Sequence, residues 1–421
     1  MKVLINCQAR FSQVGDEFYS HNLGTFPLWM RYLDVFDEIG IVARAYPCDA
    51  PRDGWSKVNQ PRISMHPIPA YHGPWQYLRQ AGRIQRILKQ TIQEYDAFLL
   101  RVPDHIGWLI SRELRRQRIP YGVEVVGDPW GVLAPKAIRC FGRPYFRWAL
   151  YRRSYLMCAG AAASLYVTNR ALQQRYPSPR AQVTLGCSDV FLPPEAFADD
   201  QCRSMKQNRW AAWSTATPPT DEDPVRLLFV GTLNTMVKAP DILLRAAALC
   251  RQRGLPVHLT MVGDGIRRIE MEQLAARLGI RHSVDFKGLI PSGEPVRKLI
   301  DAADIFLLVS YSEGQSRVLL EAMARGSICI GSDVGGIVEL LDREDRVRPG
   351  SPDEIADRVQ QWVTSPGLLR EKSERNHATA QGFRDDVLIP KRRAFYETYK
   401  QIVSQRHERR AACRSSKSRA A

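Results

Sequence analysis

The strongest constraint on this chain is a pattern repeated between residues 225 and 345: an apolar run, a glycine-bearing turn, then a helical period. Arg226-Leu227-Leu228-Phe229-Val230-Gly231 leads through a loop into the apolar periodicity of Pro240 to Arg251. Proline suits a first helical position because its missing N–H would have no partner there. Val257-His258-Leu259-Thr260-Met261-Val262-Gly263-Asp264-Gly265 precedes a helix from about Arg267 to Leu278, with His258 read as a core histidine. Val284-Asp285-Phe286-Lys287-Gly288 precedes Pro295 to Asp301, and Asp304 to Ser310 runs through Tyr311-Ser312-Glu313-Gly314 into a helix from Val318 to Arg325. Ser327 to Ser332, with its turn at Gly335-Gly336, completes the series. Strands alternating with helices of this length predict a parallel sheet covered on both faces. Ligands of such sheets bind beyond the carboxyl ends of the strands, and Gly231, Gly263, Gly288 and Glu313 all fall there.

Glu313 and Glu321 bracket the turn and helix start at Gly314-Gln315-Ser316-Arg317. An open helix N-terminus attracts anions through its unpaired amides and its dipole. Two carboxylates beside it would repel a bare phosphate but can accept hydrogen bonds from sugar hydroxyls. A nucleotide sugar offers both parts, a diphosphate and hydroxyls at each end. In isolation, a surface Glu followed by a helix Glu would carry no functional meaning; the position at a strand end gives it one.

These residues resemble the donor-binding domain of family-four retaining glycosyltransferases of the GT-B fold. The matching pieces are Phe229-Val230-Gly231-Thr232-Leu233 with Lys238-Ala239-Pro240-Asp241, then Val262-Gly263-Asp264-Gly265, Phe286-Lys287-Gly288, and Glu313 to Glu321 continued by Ala322-Met323-Ala324-Arg325-Gly326. The resemblance implies an α/β protein of two Rossmann-like domains whose parallel sheets face across a cleft. It implies that Glu313 contacts the transferred sugar, Glu321 the ribose, and Lys238 the diphosphate, whose oxygens the amides of Gly314, Gln315 and Ser316 hold. Gly231, Thr232 and Gly263 then line the donor, Arg317 is available to assist Lys238, and the backbone after Gly288, at Leu289, edges the base. Members often carry Arg where Thr232 stands, and here Lys238 lies one residue further along than in the commonest spacing.

At 421 residues the chain has room for two domains. Short strands at Met1 to Cys7, Ile41 to Arg44, Ala97 to Leu100 and Tyr121 to Val126 predict an N-terminal acceptor-binding α/β domain over 1–190. A Pro-rich linker or insert at 191–224, partly ordered through Trp210 and Trp213, leads to the donor domain at 225–385. A helix at 386–405 is expected to cross back to the N-terminal domain, and 406–421 to form a basic disordered tail. The first loop, Gly15 to His21, lacks the glycine pair usual in the family, and Val126 stands where a His is usual. Asp128 either takes over contact with the reacting sugar or caps a turn before Pro129. Arg101 and His105, at another strand end, are candidates for the acceptor.

Nine scattered cysteines without zinc-type spacing fit a reduced cytosolic compartment. No signal peptide or membrane span is expected. The net charge of +16 is unevenly placed. No acidic residue lies between Asp128 and Asp189, where Lys136, Arg139, Arg143, Arg147, Arg152 and Arg153 alternate with Phe141, Tyr145, Phe146, Trp148, Tyr151 and Tyr155. That mixture suits an anionic membrane surface or a lipid diphosphate, or equally a half-buried helix with solvated arginines. Nucleic acid ranks last, because no recognition motif accompanies the patch.

The resemblance implies a metal-independent, retaining glycosyltransferase without a cofactor. Its donor would be a nucleotide sugar, UDP favoured over GDP, and its acceptor a glycan or lipid-linked glycan of bacterial envelope or exopolysaccharide assembly. The expected location is cytoplasmic, peripheral to the inner face of the cytoplasmic membrane. The rivals are a non-catalytic sugar-nucleotide or lipid-binding partner and a nucleotide-sugar epimerase of the same fold.

Overall fold

The structure is a computed structural model that describes residues 1–20, 25–52, 55–71, 73–135, 142–213 and 218–419. It divides into two compact units. The first comprises Met1–Gly127, Leu150–Cys187 and Ile389–Ala421, and the second Asp128–Ala149 and Ser188–Leu388. The division is therefore not a single cut near 190: residues 128–149 leave the N-terminal stretch and group with the second unit.

The first unit is built on β1 (Lys2–Val14), β2 (Glu17–Ser20), β3 (Glu38–Pro47), β4 (Ser56–Lys57), β5 (Ile63–Pro69), β6 (Ala97–Val102), β7 (Gly122–Val125), β8 (Ala163–Tyr166) and β9 (Val183–Gly186). Its parallel sheet runs β5-β3-β1-β6-β7-β8-β9. β2 adds antiparallel to the far half of β1, and β4 to β2. The first loop is thus a hairpin turning at Gly15 (φ +59°); His21 lies outside the described residues. Val3, Leu4 and Ile5 of β1 are fully buried, as an interior strand of a two-sided sheet requires.

The second unit contains β10 (Val225–Val230), β11 (Val257–Val262), β12 (Val284–Gly288), β13 (Ile305–Leu308), β14 (Ile328–Ser332) and β15 (Arg346–Val347). Its order is β12-β11-β10-β13-β14-β15, with every pairing parallel. The chain direction of assembly reverses between β10 and β13, so the loops leaving those two strands open into one crevice. His258 is not a core residue. It lies on the less buried face of β11, about a third exposed, 3.6 Å from Asp285 of β12.

The connection at 191–224 is a structural part of the second unit. Helix Asp200–Ala211, capped by Asp199, delivers Trp210 and Trp213 into the core at 1% and 4% exposure. Buried Lys206 donates to Ile300 O (2.9 Å) and Ser327 Oγ (2.8 Å), and Arg209 ties Asp304 to Asp223. Residues 214–217 lie outside the described ones.

The last helix, Asp385–Arg419, packs on the first unit. Tyr399 OH donates to Phe98 O (2.8 Å), Tyr396 OH to Glu124 Oε1 (2.6 Å) and Lys400 Nζ to Val35 O (2.8 Å). The tail expected to be disordered from 406 continues this helix to Arg419 instead. Pro390 lies in the first turns of that helix, but no Gly or Pro falls within 406–419, where Arg, Glu and Ala favour the helical state.

The basic aromatic stretch contains helix Arg143–Ala159, while Lys136, Arg139 and Phe141 lie outside the described residues. Arg147 stacks on Trp130 at 3.8 Å and donates to its carbonyl (2.8 Å), whereas Tyr145, Phe146 and Trp148 are exposed. Among the described residues no helix is long and apolar enough to cross a membrane.

Candidate active site

The loop after β10 closes with a short turn, Met236–Lys238, whose preceding Thr235 accepts from Val237 N. Ala239 follows at φ +48°, a left-handed conformation that costs a non-glycine residue, and Pro240 then starts the helix Pro240–Gln252. This kink, held by Tyr311 N donating to Val237 O (2.7 Å), turns Lys238 toward the loop after β13. There Lys238 Nζ forms an ion pair with Glu313, and Ser310 Oγ lies 3.4 Å from the same carboxylate oxygen. The structure therefore brings together two residues 75 positions apart, one from each side of the sheet's reversal point. Thr232 is exposed, and its hydroxyl accepts from Asn234 N (3.2 Å), tightening the turn at the start of the same loop.

Past Glu313, Ser316 caps helix Arg317–Ala324 by accepting from Leu319 N (3.3 Å). The amides of Gly314, Gln315 and Ser316 make no hydrogen bond among the described residues, and neither polar atom of the buried Gln315 side chain has a partner. Arg317 is exposed at the helix start. Glu321, one turn on, makes no ion pair among the described residues. Burial pushes its carboxyl up, against the opposing pull of Arg317 and Arg297. A desolvated carboxylate without a donor is what a pair of hydroxyls would satisfy.

Glycines let these loops touch backbone to backbone. Gly231 N donates to Val262 O, and Gly263 N to Gly288 O (2.8 Å). A Cβ built on Gly263 (φ +131°) would lie 1.9 Å from Gly231 O, and one on Gly335 would lie 1.9 Å from Glu313 O. Gly336 N donates to Gly314 O (2.7 Å), so the turn after β14 buttresses the Glu313 loop. That buttress was visible in the sequence only as a glycine pair. Leu289, beyond Gly288, is 84% exposed.

Asp128 is buried and caps the short turn Pro129–Val132 by accepting from Trp130 N (3.1 Å). A Cβ on Gly131 would meet both Ser312 Oγ (2.2 Å) and Asp128 Oδ2 (3.1 Å), so Asp128 stands near the Glu313 loop within the second unit. Both readings of Asp128 are compatible with that placement.

In the first unit Arg101 has a different task from the one expected. Its guanidinium pairs with Glu124 (3.2 Å), a buried carboxylate that also receives Tyr32 OH (2.7 Å), Tyr396 OH (2.6 Å) and Arg31 (3.5 Å). Burial opposes Glu124's ionisation, but Arg31, Arg101 and the two phenols outweigh it and hold its carboxyl below the ordinary value. Arg101 thereby helps hold the carboxylate to which Tyr396 of the last helix is bonded. His105 instead lies among Tyr71, Tyr77 and Arg153. Arg44, which sequence reading passed over, stacks on Tyr71 there (5.3 Å). It comes from β3, and no local spacing signals the meeting.

Among the described residues no group of three or more His, Cys, Asp or Glu stands close enough to hold a metal ion. Residues 224–365 match the family model for Glycosyl transferases group 1. Protein CapJ of Staphylococcus aureus is 22% identical over 399 residues, covering 92% of this chain and 93% of its own. Among solved structures, Anabaena Alr3699/HepE in complex with UDP and glucose aligns with a TM-score of 0.64 at 18% identity, over 94% of this chain and 98% of that one. WaaG, a glycosyltransferase involved in lipopolysaccharide biosynthesis, aligns with a TM-score of 0.59 at 17% identity, over 93% and 98%. The two parallel-sheet units are those of the GT-B fold.

Proposed function

We propose that this chain, whose residues 224–365 match the glycosyl transferases group 1 model, is a glycosyltransferase that moves a sugar from a nucleotide-diphosphate donor to a glycan or lipid-linked acceptor, with retention and without a metal. The observation that carries the reading is the Lys238–Glu313 ion pair at the reversal point of the second sheet, beside three amides that make no hydrogen bond among the described residues. Lys238 is a point charge suited to a diphosphate. Glu313 fixes it before the donor arrives and is itself an acceptor for sugar hydroxyls. The amides of Gly314 to Ser316 add donors at a helix start. In the proposed step the bond from the anomeric carbon to the diphosphate breaks while the acceptor oxygen bonds to the same face. The acceptor proton passes to the departing diphosphate oxygen, so no protein base is required and Glu313 orients the donor.

HepE's complex with UDP and glucose supports a UDP-sugar over a GDP-sugar, and WaaG's role supports envelope polysaccharide assembly. The exposed Tyr145, Phe146 and Trp148 on a basic helix support a cytoplasmic enzyme resting on an anionic membrane surface. A panel of UDP-, GDP- and dTDP-sugars, read by thermal shift, tests the donor. A UDP-sugar is expected to raise Tm most, and a flat response across the panel would sink the reading. The rival of a non-catalytic binder draws on Thr232 and Val126, which stand where family members often have Arg and His. Slow donor hydrolysis without acceptor separates the two, since a pure binder releases no nucleotide.

A further inference from the structure

Around His105 the first unit gathers positive charge that its carboxylates leave unanswered. Arg10 of β1 and Arg44 of β3 are register partners on neighbouring strands, an arrangement of like charges that a sheet disfavours. Arg153 Nη1 sits 3.3 Å from His105 Nδ1. None of the three guanidiniums pairs with a carboxylate among the described residues. Asp104 feels Arg44's charge without forming an ion pair with it; its Oδ2 accepts from Asn6 Nδ2 (2.7 Å) and Gly107 N (3.2 Å) as the cap of helix His105–Arg116.

His105 is the centre of the cluster. Arg153 donating to Nδ1 makes that nitrogen the acceptor and puts the ring proton on Nε2. Nε2 is buried and has no hydrogen-bond partner among the described residues. Burial, with Arg153 and Arg44 adding to it, pushes the imidazole's pKa down to about 4, so the ring is neutral at physiological pH. A sealed N–H with no acceptor is rare in folded proteins and asks for an explanation. Tyr77 meets the ring edge-to-face at 4.5 Å, and Tyr71 lies on the other side at 6.3 Å. Arg44 lies in the second half of β3, Tyr71 just past β5 and His105 just past β6. The cluster therefore sits at carboxyl ends flanking the reversal of this sheet between β1 and β6, the place where such sheets take ligands.

We propose that Arg44, Arg153 and the His105 Nε2–H form a phosphate-binding subsite, with Arg10 at its rim, and that the acceptor of this enzyme carries a phosphate group. Guanidiniums supply paired N–H donors matched to phosphate oxygens, and the imidazole supplies a third direction. The aromatic packing around the ring must open to admit an oxygen that accepts from the Nε2–H. A sugar phosphate and a lipid-diphosphate glycan share this chemistry. The proposal rests on the glycosyltransferase reading for its name as an acceptor site, but the subsite itself does not.

The test uses inorganic pyrophosphate, titrated by calorimetry into the full chain carrying Lys238→Ala, which removes the donor-side grip. Binding is expected to persist there and to weaken at least tenfold when Arg44→Gln or Arg153→Gln is added. His105→Phe is expected to weaken it several-fold, while His105→Gln, which keeps an N–H, retains most of it. No binding in the Lys238→Ala chain, or equal binding with and without the two arginines, overturns the subsite. UDP titrated into the Arg44→Gln chain is expected to bind as in the wild type, which shows that the variant is folded. Failure of UDP to bind the wild type would sink the donor assignment and leave this result standing. Transfer assays then compare a sugar 1-phosphate and a polyprenyl-diphosphate glycan, each against its phosphate-free counterpart. KM is expected to rise at least tenfold on losing the phosphate in the arm that matches the true acceptor, and equal KM in both arms overturns the proposal.

Discussion

In the second unit the polar groups at the strand ends hang on backbone: Gly263 and Gly335 admit carbonyls at distances no Cβ permits, and the loops they join present Lys238, Glu313 and free amides. In the first unit the corresponding strand ends hold side chains instead, with Glu124 at the hub of Arg31, Arg101, Tyr32 and Tyr396, and His105 among arginines and tyrosines. A site made of backbone needs glycine at fixed places along the chain. A site made of side chains needs only that distant residues meet. The first unit should therefore be fragile at single buried charges, and the second at groups that touch the donor.

The sharpest way to break that contrast is Glu124→Ala. It leaves Arg31 and Arg101 buried without a counter-charge and strips Tyr396 of its acceptor. The expected loss is about 3–5 kcal/mol of stability, read by urea denaturation with a helix signal from the last helix. A loss under about 1 kcal/mol, the scale of an exposed pair, would mean that the hub is ornamental. Lys238→Ala should do the reverse. Its pair with Glu313 is partly exposed, so stability should change little, whereas turnover should fall by about 10²–10³ if Lys238 meets the leaving diphosphate. Unchanged kinetics would remove it from the site.

This contrast also explains what could be read in advance. The second sheet's strands, its helix starts and the Glu313–Glu321 block lie in sequence order, each with its own turn residues, so the crevice followed from local patterns. β2, β4, β5, β8 and β9 went unread because they are short or, like Ile63–Pro69, carry prolines and polar residues that resemble loop. Residues 191–224 looked like a linker because their prolines outweighed the helix Asp200–Ala211, whose buried face amounts to Lys206 and Trp210, with Trp213 following just past its end. Arg101 was assigned by its position at a strand end; its partner Glu124 sits on the next strand, β7, and is closed off by Tyr396 from the far end of the chain.

A pH titration sharpens the first-unit side. The folded His105 stays neutral down to about 4, while the unfolded ring takes up its proton near the ordinary 6.5. The unfolded state therefore binds more protons in that window, and stability should be fully present above pH 6.5 and fall as the pH drops toward 4. One titrating group contributes up to about 1.4 kcal/mol per pH unit, roughly 3.5 kcal/mol across this window, which partial exposure reduces to about 2 kcal/mol. His66 and His377 are lowered too, also chiefly by burial, and buried carboxyls such as Glu321 are raised, so the wild-type curve sums several groups. His105→Gln isolates one of them: its denaturation curves at pH 7.5 and 4.5 should lie closer together than the wild type's. Equal separation would show that the ring is already solvated.

The smallest effect is the most telling for the second unit, because stability and binding should move in opposite directions. Glu321's carboxyl is raised by burial, so the folded chain holds that proton to a higher pH than the unfolded chain does. Stability from this group is greatest when it is protonated and declines as pH rises through the interval above the ordinary 4.5. At neutral pH the charged form is a standing cost, which Glu321→Gln removes, so Tm should rise slightly, by the equivalent of roughly 0.5–1 kcal/mol. The same change replaces a charged acceptor for two hydroxyls with a neutral amide, so UDP should bind about tenfold more weakly, the scale of one charge-assisted hydrogen bond. A residue serving only the fold would lose stability and leave nucleotide affinity alone; one kept for the ribose does the opposite, and two titrations on one variant distinguish them.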